Sequence, residues 1–363
     1  MIWSWTLHKY LARQFLGSVG IVLSLFLFLT FSIDFVDLVD RTGDKHVPTA
    51  ALATMCIFQL PDLGMKLLPF AVLLGGVFAF VRLSRSHELL AIRASGFSAW
   101  NLLAAPLSVS GALGVTVVLL FTPISARMLT EFAQLEARFV HGQASQLDVS
   151  SNGLWLRQGD AKAQSVIHAA HVANQGVELE DVIVFRYGAN DKFLGRIDAH
   201  SAQLSNGYWV LRDAHVSGKD GNPKFYATYP LPTTLTPTRI QESFASPDTL
   251  SFWTLPSFIA AARRAGFSAT RYLLYFDSLL MMPAMFAAMV LMAASFSLRL
   301  ARLGGLGQVV LLGALAGFGV YFFSNVATAL GETGIMPVAL AAAAPATAAI
   351  LIGLSLVFHN EDG

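Results

Sequence analysis

Five stretches of this chain run for 20 residues or more without Asp, Glu, Lys or Arg, at residues 14–33, 94–126, 278–298, 303–331 and 333–360. A helix of about 20 apolar residues crosses a hydrocarbon core of about 30 Å, so each stretch is a candidate membrane span. A sixth candidate lies between residues 46 and 81, interrupted only by Asp62 and Lys66 and most apolar over 67–81. Pro61 suits a first helical turn and Pro69 an internal kink, so this region reads as a short segment up to Pro61 followed by a spanning helix. The 363 residues are 55% hydrophobic and 13% charged, against about 25% charged in soluble domains, which excludes disorder and argues against a wholly soluble fold.

Lys9 and Arg13 precede the first run as they would in a secretory leader. The run is too long for a leader core and continues into Asp34, Asp37 and Asp40 in place of a small-residue cleavage site, so an uncleaved first helix is expected. Lys and Arg resist translocation, and their distribution over short connections orients the chain. With a cytoplasmic N-terminus, that side holds Lys9, Arg13, Arg82, Arg85, Arg93, Arg299 and Arg302, while the opposite short loops hold Arg41 and Lys45. The expected order is residues 1–122 with three helices, an exported region at 123–271, and residues 272–363 with three more helices and a cytoplasmic C-terminus.

Between residues 140 and 235 the pattern changes to short alternating runs such as 153–156, 182–185, 208–211 and 225–229, separated by turn signals at Ser205-Asn206-Gly207 and Asp220-Gly221-Asn222. This predicts an all-β sandwich or open barrel. Histidines 168, 171, 200 and 215 have no metal-site spacing and read as ordinary sheet residues. Helical connectors flank the domain: Arg127, Glu131 and Leu135 recur at four-residue steps, and Phe252, Leu255, Phe258, Ile259 and Ala262 form an apolar face ahead of Arg263 and Arg264.

A net charge of +1 gives no general attraction to nucleic acid, and the single cysteine, Cys56, cannot form an internal disulfide. No phosphate-binding loop, nucleophile elbow or zinc-protease helix occurs in the sequence, so no catalytic or cofactor-binding residues are expected. The most informative polar segment is the loop over residues 84–97. As a short amphipathic helix it turns Leu89, Ile92 and Phe97 toward an apolar surface, presents Glu88 near its start and ends at Gly96. Two readings follow: an interfacial helix that anchors the loop, or a coupling helix that enters a separate ATPase subunit with Glu88 meeting a basic residue there.

Arg82-Leu-Ser-Arg-Ser-His-Glu-Leu-Leu-Ala-Ile-Arg-Ala-Ser-Gly-Phe-Ser98 resembles the signature of the lipopolysaccharide export permeases, the LptF/LptG family. Leu60-Pro-Asp-Leu-Gly-Met-Lys-Leu-Leu-Pro69 is similar to the family's twin-proline approach to the second span. Phe35-Val-Asp37, Gly153-Leu-Trp-Leu-Arg157 and Ala329-Leu-Gly-Glu-Thr-Gly-Ile-Met-Pro337 are more similar to the LptG branch than to LptF. The likeness covers essentially the whole chain. It implies an α-helical inner-membrane protein with six transmembrane helices and a periplasmic jellyroll-like β domain between helices three and four. It also implies an LptF-type sister permease, an LptB-type ATPase dimer holding ATP and Mg, an LptC-type single-span protein and a periplasmic bridge.

On that resemblance, Glu88, Leu89, Ile92, Arg93 and Gly96 are expected to couple to the ATPase. Lipopolysaccharide would be drawn from the outer leaflet into a cavity between two permeases. Some relatives carry lysines for lipid phosphates at the outer end of the first helix and after the first proline of the second, where this chain has Asp34 and Asp62. Lys66, one turn beyond Asp62, either pairs with it or serves the anionic lipid, and Arg41, Lys45 and Arg127 are further candidates. Phe26, Phe28, Phe31 and Phe35 recur on the first helix and Phe318, Phe322 and Phe323 on the fifth, with Phe26, Phe31, Phe318 and Phe322 the expected apolar contacts, and Gly313, Gly317 and Gly319 suit close approach of the fifth helix to a neighbour. One rival is a non-transporting, ATPase-coupled regulator of a periplasmic enzyme, which usually has four spans. Another is an ion-coupled transporter, which needs ionisable residues in the middle of several spans.

Overall fold

A computed structural model describes residues 5–42, 47–94, 96, 98–136, 139, 147–150, 153–159, 163–173, 178–188, 192–205, 207–218, 223–233, 246–264, 268–300 and 306–361. The chain divides into two compact units, one of residues 1–140, 251–253 and 273–363, the other of residues 141–250 and 254–272. Among the described residues six helices are long and apolar enough to cross a membrane. Hydrocarbon offers no water to unpaired amide groups, so an apolar segment of this length satisfies its backbone internally as a helix.

The first two spans are α1 (Trp5–Thr42) and α2 (Thr49–Arg85), and a short α3 (Glu88–Ala94) follows. The third span is composite: α4 (Ala99–Thr116), a π-helical turn (Val117–Phe121) and α5 (Thr122–Glu136). After the β unit come α6 (Leu255–Arg264), α7 (Thr270–Leu300), α8 (Leu306–Glu332) and α9 (Val338–Glu361). The break expected at Pro61 is absent, because α2 runs unbroken from Thr49 with Pro61 and Pro69 both inside it. Leu52, Met55 and Cys56 explain the difference: they are buried in a cluster with Leu38, Phe132 and Leu135, so α1 and α5 hold the first turns of α2 in helical form.

Small residues let these helices approach closely. A Cβ added at Gly75 would lie 2.6 Å from Val19 Cα, one at Gly114 2.6 Å from Pro283 Cα, and one at Gly353 2.8 Å from Leu291 Cβ. On the fifth span Gly313 faces Val77 and Leu74, and Gly317 faces Leu73 and Phe70. Gly319 departs from the expectation, with nothing within 4 Å of its would-be Cβ. Phe15, Val72, Phe80, Leu103, Phe286 and Val290 form the centre of the bundle. The buried Ser295 hydroxyl donates to Gly353 O at 3.3 Å, adding a polar tie between α7 and α9.

The π-helical turn leaves carbonyls without their usual helical donors, and side chains supply them. Thr122 Oγ1 donates to Val118 O at 2.6 Å, and Trp253 Nε1 donates to Leu119 O at 3.0 Å. The Phe252 N–H donates to Thr122 Oγ1 at 3.3 Å, and the Phe252 ring stacks on Phe276 at 5.2 Å. Residues 251–253 are therefore a strap across the third and fourth spans. Phe252 leaves the helical face on which the sequence pattern set it, since α6 begins only at Leu255.

Among the described residues of the second unit, seven strands run from β1 (Leu147–Ser150) through β2 (Gly153–Gly159), β3 (Ala163–Ala173), β4 (Glu178–Gly188), β5 (Phe193–Ser205) and β6 (Tyr208–Gly218) to β7 (Pro223–Pro232). Each pairs antiparallel with the next in chain order. The expected all-β domain between the third and fourth spans is thus present. Alternation buries Leu154 and Leu156, Val182 and Val184, and Trp209 and Leu211 on one face. The pairing is interrupted along one line across the sheet, where Asp181 and Asp213 take φ of 52° and 54°. Aspartate tolerates this left-handed region better than most residues, which makes the line a natural place for the strands to bend.

The sheet histidines have ordinary neighbours: His168 lies against Trp155 at 4.4 Å and His215 against Phe225 at 5.2 Å. Helix α6 contacts β1, its Leu255, Ile259 and Ala262 are all buried, and Phe258 lies against Tyr272 at 4.6 Å.

Candidate functional site

The loop between the second and third spans is built by two left-handed residues. Helix α2 ends with the Ser86 N–H donating to Arg82 O, and His87 then takes φ 62°, which ends the helix and starts a new one at Glu88. Helix α3 therefore covers seven residues, with residues 84 and 85 still in α2. Gly96 takes φ 87°, a conformation that favours glycine, and Ser98 Oγ then accepts the Asn101 N–H at 3.3 Å to cap α4.

Leu89 is buried in the bundle core, and Ile92 packs against it partly buried. The apolar surface that this short helix seeks is therefore its own membrane unit. Glu88 Oε2 accepts the Tyr10 hydroxyl at 2.8 Å in an exposed hydrogen bond, tying the start of α3 to the first turns of α1. Arg82 and Arg85, in the last turn of α2, add positive charge beside it. The structure brings Glu88, Leu89, Ile92 and Gly96 onto one short element. The Arg93 side chain and Phe97 lie outside the described residues.

At the other end of α1 and α2 two of the four candidate cations, Arg41 and Lys66, are engaged with acids. Arg41 Nη2 stands 2.8 Å from Asp37 Oδ2, and Lys66 Nζ donates to Asp62 Oδ2 at 2.8 Å, each pair one helical turn apart. Arg127 is exposed on α5, and Lys45 lies outside the described residues. Helices α1, α2 and α5, which carry Arg41, Lys66 and Arg127, meet in the cluster around Met55 and Cys56.

The Asp62 side chain is 6% exposed and that of Lys66 55%. Removing the ammonium from a buried carboxylate costs more than the pair contributes, because the charge stays behind in low dielectric. Lys66→Gln is expected to lower stability by about 3 kcal/mol, the low end for a broken buried pair since Lys66 is half exposed. Adding Asp62→Asn should restore most of the loss, and thermal unfolding of the single and double variants in detergent checks both outcomes.

The aromatic candidates separate. Phe26 packs against the bundle core and Phe31 stacks on Phe35 in the outer cluster, while Phe318 and Phe322 are exposed on α8. Of the recurring phenylalanines on α1, Phe28 is the exposed one, in an outward stripe with Ile21, Leu25 and Leu29. Their spacing of i, i+4, i+7, i+8 is visible in the sequence, but in a helix apolar on every side no polar face marks which stripe points outward. Helices α1 and α8 are the least buried spans, and both lie against α2.

Among the described residues, six apolar helices split three and three by an all-β domain, with a short helix between the second and third, define a polytopic membrane protein. Comparison with known proteins makes the assignment particular. The chain belongs to the lipopolysaccharide export system permease LptF/LptG family, whose sequence model matches residues 9–358. It is similar to the lipopolysaccharide export system permease protein LptG of Escherichia coli strain K12 and to that of Escherichia coli O6:H1, at 24% identity over 98% of each chain. A permease of this family is a transporter subunit and not itself a catalytic enzyme.

Proposed function

We propose that this chain is the LptG-type transmembrane subunit of an ATP-driven lipopolysaccharide exporter. It extracts lipopolysaccharide from the outer leaflet of the inner membrane and passes it to a periplasmic bridge. Both termini are cytoplasmic and the β domain is periplasmic. Its partners are an LptF-type sister permease, an LptB-type ATPase dimer that binds ATP and Mg, and an LptC-type single-span protein.

The observation that carries the reading is the α3 element. Leu89 anchors it in the bundle core while the Glu88 carboxylate remains at the surface, held by Tyr10 of α1. A load applied to α3 by an ATPase would thus pass to α1 and α2 together. The exposed apolar stripes of α1 and α8 on either side of α2 suit the seams where a sister permease and lipid would meet this chain.

The test is purification of the detergent-solubilised protein from its native membrane, with co-purifying proteins and lipids identified by mass spectrometry. A soluble ATPase, a six-span sister and bound lipopolysaccharide are expected. A periplasmic hydrolase without lipopolysaccharide would instead identify a regulator, and the absence of any ATPase would overturn both readings.

A further inference from the structure

A cavity of about 270 Å³ opens among α2, α7, α8 and α9, wholly inside the membrane unit of this one chain. We propose that it seats a single acyl chain, with the polar end of the amphiphile at Lys66, Ser278 and Asn325. The proposal needs only that the unit is embedded in a bilayer, so it goes beyond the exporter reading and does not depend on what is exported. It also concerns a space within one subunit, not one between two permeases.

Three observations select this ligand class. The first is volume. An apolar cavity of about 150 Å³ accommodates benzene, so by proportion one of 270 Å³ has room for roughly ten carbons of a chain.

The second is shape. Ser278 and Met289 both line the cavity, and along α7 they are separated by about 16 Å. An extended alkyl chain matches that length, while a ring system of the same volume does not.

The third is the lining itself. Met65, Met281, Met282, Met285 and Met289 contribute to it, five of the ten methionines in the chain. Thioether side chains adapt to a flexible partner and fill irregular space around it. The polar residues gather at the opposite end from Met289 and Gly317, so polarity falls along the cavity as it does along a lipid. The ion pair of Lys66 with Asp62 carries no net charge, which leaves hydrogen bonding to a phosphate, amide or hydroxyl as the head-group interaction. Membrane phospholipid and lipopolysaccharide both offer that chemistry.

The test uses the purified, detergent-washed full-length protein with any co-purifying partners. It is incubated with phosphatidylglycerol bearing a diazirine at the end of one acyl chain, illuminated, and mapped by peptide mass spectrometry. Label on the α7 segment around Met285 and Met289 is expected, falling at least fivefold in Met285→Trp, which fills the deep end. Asn325→Val alters only the exposed head end and should lower labelling about threefold, which keeps the test decisive if the tryptophan variant does not fold.

Competition by unlabelled lipopolysaccharide but not phospholipid would assign the seat to cargo, and the reverse to a resident lipid. Either result supports the seat. Label confined to bilayer-facing residues such as Phe318 and Phe322, or label that neither lipid displaces, would overturn it. Transport is not the readout, so failure of the seat and failure of the exporter reading are told apart.

Discussion

Glu88→Ala is expected to lower ATP hydrolysis and lipopolysaccharide transport by the reconstituted complex at least about tenfold, the scale for removing one side of a buried charged contact at an interface. Membrane insertion should be unchanged, because Glu88 is hydrogen-bonded only at the surface while Leu89 supplies the packing. The hydrogen bond from Tyr10 offers a competing explanation, that Glu88 serves only to tie α3 to α1. Tyr10→Phe separates the two, since it removes the bond and keeps the carboxylate. Near-normal activity in Tyr10→Phe with loss in Glu88→Ala would place the role in the carboxylate's contact with the ATPase. Equal losses would place it in the tie to α1, and wild-type activity in Glu88→Ala would sink the coupling role.

The second large effect is expected at Gly75, where α1 and α2 touch. Its would-be Cβ lies 2.6 Å from Val19 Cα and 2.8 Å from Val19 N, so backbone and not a movable side chain blocks the space. Gly75→Ala must push the two helices apart and is expected to cost about 2 kcal/mol, with Gly75→Val failing to give a stable protein. Gly20 on α1 is the control: nothing lies within 4 Å of its would-be Cβ, so Gly20→Ala should be neutral or gain up to about 1 kcal/mol from helix propensity. Thermal unfolding in detergent, read by tryptophan fluorescence, distinguishes the two. A Gly75→Ala protein as stable as the parent would show that the helix contact is not tight.

Much of the architecture was readable along the chain. Span number and the position of the β domain depend on sums over 20 residues and on alternation of period two, both properties of contiguous sequence. The left-handed position at Gly96, beyond the end of α3, was readable for a similar reason, because a left-handed φ leaves a mark in residue type. Pro61 shows where such local rules stop. Its ring disfavours a helix interior, yet contacts from α1 and α5 on residues 52–56 outweigh it.

What only the tertiary structure decided was which side of each apolar helix faces a neighbour. Phe26 turns inward and Phe28 outward, Gly317 meets Phe70 and Gly319 meets nothing, and Leu89 docks into its own bundle. The methionines of the cavity are more than 200 residues apart at their extremes, Met65 and Met289, and no local pattern joins them. The physical reason is common to all of these. In water a polar face marks the outside of a helix, whereas in a bilayer lipid and protein neighbours are equally apolar. Burial is then set by shape, the small residues and gaps through which helices meet, and shape exists only once the helices are side by side.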